Sequence, residues 1–274
     1  MSRRAACRGA AVGLLALLMA GTVAGPVAAQ DGSGVPSPVA SPAASPGASL
    51  PAPTPFPDAV ATVAPLPAGA ITDAQVTPWD HVTIWPDGRT LSVAFTMGPQ
   101  QCDGLQKVDL GRTHGALRIT LHTGERADAA GLDCSGGPQL YDTIVTLSKP
   151  ILGGGHATLT GVQIGEPMGD LAVAGAVLME DEPEPWDRVQ VAADGQMLQV
   201  AFLGGSAECY GLSRVDTPVD GDLQLAVVHY GPLANPQSGQ TVCSGVGVPY
   251  HALVTLAAPL LLGGATPAAE SPAP

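Results

Sequence analysis

The chain has 274 residues, with 24 acidic side chains against 11 basic ones and a net charge of −13 at pH 7. A surface this negative repels nucleic acid and anionic lipid, so neither is an expected partner. No glycine-rich phosphate loop or dinucleotide fingerprint occurs, and no cofactor is expected.

Residues 1–29 read as an export signal. Arg3, Arg4 and Arg8 precede the apolar run AVGLLALLMAG, and Val27-Ala28-Ala29 supplies small residues for cleavage. The run falls short of the ~20 apolar residues of a comfortable span, so no stable membrane span is expected after cleavage. Cys7 lies before the apolar run, whereas a lipid-anchoring cysteine would follow it. Loss of the signal leaves eight basic against 24 acidic residues. Residues 30–67 then form a low-complexity Pro/Ala/Ser-rich linker, with Ser-Pro at Ser37, Ser41 and Ser45. Recurrent proline fixes φ and removes donors, and few large apolar side chains are present to build a core. A disordered, extended tether is the expectation, with serines and threonines that suit a glycosylated stalk.

Two stretches then say nearly the same thing. PWDHVTIWPDGRTLSVAF runs from Pro78 to Phe95, and PWDRVQVAADGQMLQVAF from Pro185 to Phe202. At a fixed offset of 107, 16 of 32 positions between Pro78 and Asp109 are identical. A period this long marks a duplicated domain, not a short solenoid repeat. The expected organisation is a β-domain at 68–165, an interdomain segment at 166–184, a second β-domain at 185–264, and a disordered tail at 265–274. Within each copy the apolar period is two. Leu91, Val93 and Phe95 answer to Leu198, Val200 and Phe202, and Leu117, Ile119 and Leu121 to Leu223, Leu225 and Val227. Asp87-Gly88 and Asp194-Gly195 sit where a hairpin needs φ > 0, and His114-Gly115 and Asp220-Gly221 mark a second turn. No capped amphipathic run is long enough for a helix. The fold class is all-β: two tandem, small, antiparallel sandwich or barrel-like domains. The first copy continues into HATLTGVQI, a candidate last strand. The second has no such run, so it either lacks an edge strand or borrows one from 170–179.

Four cysteines remain after signal loss, two per copy at equivalent places, and four allow three pairings. Self-contained copies favour Cys102–Cys134 and Cys209–Cys243, one disulfide per domain. Closing loops of about 30 residues would stabilise each by ~3–4 kcal/mol in the chain-entropy account. Export delivers the cysteines to a compartment where disulfides persist, and no Cys-x-x-Cys pair suggests a metal.

Candidate chemistry is sparse. Gly204-Gly205-Ser206-Ala207-Glu208 approaches a nucleophile elbow but lacks the closing glycine, and its counterpart at 97–101 has no serine. His81 becomes Arg188, His251 answers to Asp142, and His156 has no counterpart, so no zinc set emerges. Asp80, Asp87 and Asp109 recur as Asp187, Asp194 and Asp216, but in no dense calcium-binding run. Hence no catalytic, cofactor or metal residue is assigned. Trp79 and Trp186 recur as well. An aromatic that opens a strand usually caps the core, but an exposed one stacks on a sugar or seals an interface, so both are candidate ligand-facing residues.

Each copy combines the Asp-Gly hairpin with Cys102-Asp103-Gly104-Leu105 or Cys209-Tyr210-Gly211-Leu212. A Val-Thr-Leu run follows, and then Pro150-Ile151-Leu152-Gly153-Gly154 or Pro259-Leu260-Leu261-Leu262-Gly263-Gly264. This pattern resembles an uncharacterised disulfide-containing β-domain of secreted and envelope proteins of high-GC bacteria. The resemblance implies a secreted or extracytoplasmic protein, associated in some cases with the cell envelope. Such relatives are often lipid-anchored, but the anchoring cysteine is missing here. The expected function is that of a non-enzymatic binding or envelope-associated module whose partner is an unknown protein or a cell-wall glycan. The alternative is a secreted hydrolase, or an inhibitor of one. Residues that differ between copies, such as His81/Arg188 and Asp103/Tyr210, are where a private function of either copy would lie.

Overall fold

The computed structural model describes residues 56–155, 168–235, 243 and 247–265. The signal, most of the tether, HATLTGVQI, His156 and nearly all of the tail lie outside the described residues. The described chain is all-β. Its first half supplies β1 (Ala61–Thr62), β2 (Ile71–Thr77), β3 (Trp79–Ile84), β4 (Thr90–Met97), β5 (Asp103–Thr113), β6 (Ala116–Arg126), β7 (Gln139–Thr146) and β8 (Leu152–Gly153). The second half supplies β9 (Asp170–Leu171), β10 (Pro183–Glu184), β11 (Arg188–Ala192), β12 (Met197–Gly204), β13 (Tyr210–Asp216), β14 (Val219–Asp220), β15 (Leu223–Leu225), β16 (Val227–Pro232), β17 (Val248–Thr255) and β18 (Leu261–Leu262).

The alternation read in the sequence builds one sheet through both halves. Its order is β1-β7-β4-β3-β11-β12-β17-β9. The halves meet where β3 pairs antiparallel with β11, and in that ladder Thr83 lies opposite Gln190. These two residues are also 107 apart in sequence. A position that pairs with its own counterpart marks a local twofold axis, the geometry of an isologous dimer within one chain. Leu91, Val93, Phe95, Leu198, Val200 and Phe202 all point inward from this sheet and are fully buried. They join Leu105, Ile119, Leu121 and Val228 from the smaller sheets in a single apolar cluster. Two layers over one core give a sandwich, and here the core is shared.

The closing strands are exchanged across the axis. β18, from the second half, runs parallel to β6 of the first, with Leu261 opposite Leu117. β8, from the first half, runs parallel to β15 of the second, with Leu152 opposite Gln224. Each closing segment first crosses its own Asp-Gly hairpin, where Ile151 N donates to Gly88 O and Leu260 N to Gly195 O. The hairpin glycines therefore answer two demands. Their φ values are +64° and +70°, and an added Cβ would sit 1.9 Å from Leu152 O or 2.0 Å from Leu261 O. Asp87 and Asp194 tie each turn by accepting bonds from the two backbone amides beyond the glycine.

One sequence expectation reads differently in space, and one open alternative is decided. The inward row of the second half is not Leu223, Leu225 and Val227. Ala226 and Val228 are fully buried instead, while the other three are half-buried. Val215 lies opposite Val228 as Val108 lies opposite Leu121, which keeps the offset of 107. Pro218 has no amide for the ladder, the long hairpin breaks into β14 and β15, and one residue is absorbed before Ala226. A slip of one residue inverts the face of every side chain. The segment after 168 supplies β9, which runs parallel to β17 at Tyr250–His251 as β1 does to β7 at Tyr141–Asp142. The second half thus takes its edge strand from 170–179, one of the two alternatives read in the sequence, and that strand corresponds by its pairing to β1.

Both expected disulfides are present, Cys102–Cys134 and Cys209–Cys243, each with 5.8 Å between Cα atoms. Two such bonds are typical of extracytoplasmic proteins. Among the described residues, no helix is long and apolar enough to cross a membrane.

Candidate ligand groove in the second half

Trp79 and Trp186 are completely buried. Trp79 Nε1 donates to Leu262 O at 3.4 Å, and Trp186 Nε1 donates to Gly153 O at 3.2 Å. Each indole therefore seats the closing strand that arrives from the other half. Neither ring presents a face to solvent, so core packing accounts for their recurrence and a solvent-borne ligand cannot reach them.

The recurring aspartates have local partners. Asp80 accepts from Thr96 Oγ1, and Asp87 and Asp194 close their turns. Asp109 lies 2.7 Å from Lys107 Nζ and 3.0 Å from His122 Nε2. Asp216 lies 3.0 Å from Arg214 Nε and 3.1 Å from His229 Nε2. Hydrogen bonding from Lys107 holds the Asp109 carboxyl below the usual range. This Lys/Arg–Asp–His trio recurs at the same offset of 107, and sequence reasoning missed it because the one-residue slip misaligned His122 with its true counterpart, His229. Asp181 adds a second carboxylate to the C-terminal trio, 2.8 Å from Arg214 Nη1 and 2.7 Å from His229 Nδ1. Most of these groups are well exposed, and exposed pairs contribute little each, ~0–1 kcal/mol.

On the outer face of the central sheet lies a buried polar row. His81 stacks on Phe56 with ring centroids 4.9 Å apart. Ser92 Oγ donates to Asp142 Oδ2, and His251 Nδ1 lies 3.0 Å from Gly169 O. His81 Nδ1, Asp142 Oδ1 and His251 Nε2 are buried without a protein partner. Burial pushes the His81 imidazole below its ordinary value, partly offset by Asp80, Asp58 and Asp142.

Among the described residues, a feature shaped like a binding site lies in the second half. A groove of about 400 Å³ opens between the ends of β10, β12, β13 and β16. That volume suits one side chain or a small ligand. Tyr210 and Tyr230 form its floor, with rings 7° from parallel and centroids 6.2 Å apart. Behind them Tyr230 packs on Phe202 at 5.1 Å and on Tyr250 at 5.6 Å. Tyr230 donates its hydroxyl to Gly205 O at 2.8 Å. Burial, helped by Tyr250 and Tyr210, pushes the Tyr230 phenol well above its ordinary value, so the ring stays neutral. Glycines make room for both rings. A Cβ at Gly204 would lie 2.5 Å from the Tyr230 ring, and one at Gly205 would lie 2.3 Å from Tyr210. Glu180, Glu182 and Glu184 line the wall. Glu184 belongs to β10, and Glu180 and Glu182 lie in the bend and coil that lead into it. Asp181, between Glu180 and Glu182, is held by Arg214 and His229.

The first half closes the equivalent place. At an offset of 107, Gly204 answers to Met97, Tyr210 to Asp103, Tyr230 to Thr123 and Glu182 to Gln75. Met97 is buried, and Asp103 turns back to accept from Gly98 N at 2.9 Å. Leu66 and Ile71 crowd Gly104, where an added Cβ would meet them at 2.6 and 2.8 Å. Of these positions, the sequence alignment sets Gly204 against Met97 and Tyr210 against Asp103 but does not bring Tyr230 or Glu182 to the same place. The glutamates lie in what reads as an interdomain segment, and nothing local shows that they meet two tyrosines from other strands.

Comparison of the chain with protein-family models, with curated proteins and with solved structures finds no match. The described residues define a disulfide-stapled all-β protein with an aromatic, acid-lined cleft in its C-terminal half.

Proposed function

We propose that this is an exported, non-enzymatic binding module, made by duplication of one β-unit, in which the second unit holds the ligand and the first serves as its structural partner. The N-terminal signal pattern and the paired disulfides support export into an oxidising compartment. The resemblance to envelope-associated β-domains of high-GC bacteria supports a role at the cell surface, with the Pro-rich tether as a spacer. The observation that carries the reading is the asymmetry of the groove. Two units of matching fold differ in that one opens a tyrosine-floored cleft where the other packs Met97, Leu66 and Ile71. Scaffolding alone does not require that difference.

The test is retention by the chain from residue 30 to 274, immobilised beside its Tyr210→Ala variant. Peptidoglycan, cell-wall polysaccharide and secreted-protein fractions are passed over both. Retention of one fraction by the native chain, lost in the variant, is the expected result. Equal retention on both, or on neither, would sink the proposal.

A further inference from the structure

We infer that the tip of the β5–β6 hairpin is a docking surface for a second copy of this chain, which it meets at that copy's β14–β15 tip, joining copies head to tail. The inference makes no use of the groove.

The chain is strongly acidic, yet its cations are gathered. Of the eight basic residues beyond residue 29, four lie in β5 and β6: Lys107, Arg112, Arg118 and Arg126. Lys107 and Arg126 are paired with Asp109 and Asp128. Arg112 and Arg118 stand at the tip, LGRTHGALR, which holds no acidic residue. Both are exposed, and neither makes an ion pair among the described residues. The equivalent tip of the second half, TPVDGDLQ, holds two aspartates and no cation. Asp220 and Asp222 are exposed and likewise make no ion pair among the described residues. Each tip adds an exposed aliphatic side chain, Leu110 at 42% and Val219 at 67%. Two equivalent hairpins therefore end in surfaces of opposite charge, each with an apolar contact to offer.

The fold keeps these tips apart within one molecule. Leu117 N donates to Leu260 O and Leu260 N to Gly195 O, so the basic tip lies beside the turn after β11. β15 pairs with β8, and Ile151 N donates to Gly88 O, so the acidic tip lies beside the turn after β3. β3 and β11 are antiparallel, which puts those turns at opposite ends of their ladder. A contact between unlike tips therefore joins two molecules. It is heterologous, so each pair still offers one basic and one acidic tip to further copies. Contacts between like tips would set arginine against arginine or aspartate against aspartate. Two acidic bodies repel at long range, but a Debye length of about 10 Å at 0.1 M salt screens that repulsion more than the close contact at the tips. Exposed ion pairs are weak singly, so the association depends on concentration.

The experiment is sedimentation equilibrium of the chain from residue 30 to 274, from about 10 μM to about 1 mM in about 100 mM NaCl. The native chain is compared with Arg112→Glu/Arg118→Glu, in which both tips are acidic, and Asp220→Arg/Asp222→Arg, in which both are basic. The average mass of the native chain should rise with concentration, and each variant alone should stay monomeric. An equimolar mixture of the two variants should associate at least about ten-fold more strongly than either alone. Misfolded variants could not restore each other, so recovery in the mixture separates docking from damage. Association should fall as NaCl rises from about 100 to about 500 mM. If either double variant melts below the native chain, Arg112→Gln and Asp220→Asn replace them, and each should weaken association roughly two- to five-fold. A native chain that is monomeric at every concentration overturns the inference. So do variants that associate as the native chain does, and folded double variants whose mixture stays monomeric. Polyphosphate binding that requires Arg112 and Arg118, by a chain that stays monomeric, overturns the second copy in favour of an anionic polymer.

Discussion

At the scale of single residues, the recurring tryptophans show how a functional candidate becomes a structural one. Sequence alone marks Trp79 and Trp186 as kept in both halves, but it cannot show that each indole meets a carbonyl 183 or 33 residues away. Trp186→Phe keeps most of the ring and deletes the donor. The Gly153 carbonyl is then left in the core short of that partner, and the expected loss is ~1–2 kcal/mol. A lower urea midpoint with an unchanged slope checks this. Full stability would mean that packing alone holds the closing strand. His81 gives a pH prediction of definite sign. Its folded pKa is depressed by burial, so at mildly acidic pH the unfolded chain binds a proton that the folded chain resists. Stability from a neutral, buried His81 is therefore complete above the unfolded value of about 6.5 and declines as pH falls below it. Urea midpoints should drop between about pH 7.5 and 5.5 in the native chain. In His81→Gln the drop should be shallower. Identical pH profiles would show that other groups carry the effect.

At the scale of elements, the strands were legible because alternation and Asp-Gly turns are local signals. Register and partner were legible only in part. The slip at Pro218 moved Leu223, Leu225 and Val227 off the inward face, and the same slip concealed the pairing of His122 with His229. The closing strands posed a harder problem, since two residues of β8 or β18 carry no periodicity and find their partners in the other half. Their glycines were the available clue. Gly154 and Gly263 have φ of +99° and +104°, and an added Cβ would meet Ala226 O at 2.1 Å or Ile119 O at 2.2 Å. Gly263→Ala therefore imposes both a backbone penalty and a steric one, and a loss of ~1–3 kcal/mol is expected from the backbone alone. Thermal denaturation of this variant beside Gly111→Ala makes the comparison, because Gly111 faces open space. Equal melting temperatures would contradict the exchange as drawn.

At the scale of the molecule, the twofold axis makes a claim about folding. Self-contained domains are the natural reading of a 107-residue period with one disulfide in each copy. The sheet order, however, runs unbroken from β1 to β9 through the β3–β11 ladder, and each half lacks a strand that only the other supplies. A chain of residues 30–165 would expose the β3 edge, leave β6 without β18, and uncover Trp79 where Leu262 and Gly264 now lie. Unpaired edges of this kind invite association. Because Thr83 lies on the axis, β3 of one copy can pair with β3 of another in the register that β11 now provides, and β8 can substitute for β18 across the new interface. The isolated first half is therefore expected to dimerise, or to remain unfolded with its disulfide intact. It should not form a stable monomer. Light scattering across a range of concentrations, with calorimetry on the same samples, distinguishes these states. A melting temperature that rises with concentration is the signature of the dimer. A monomer that melts cooperatively at every concentration would show that the shared sheet joins two independent domains and is not a condition of their folding.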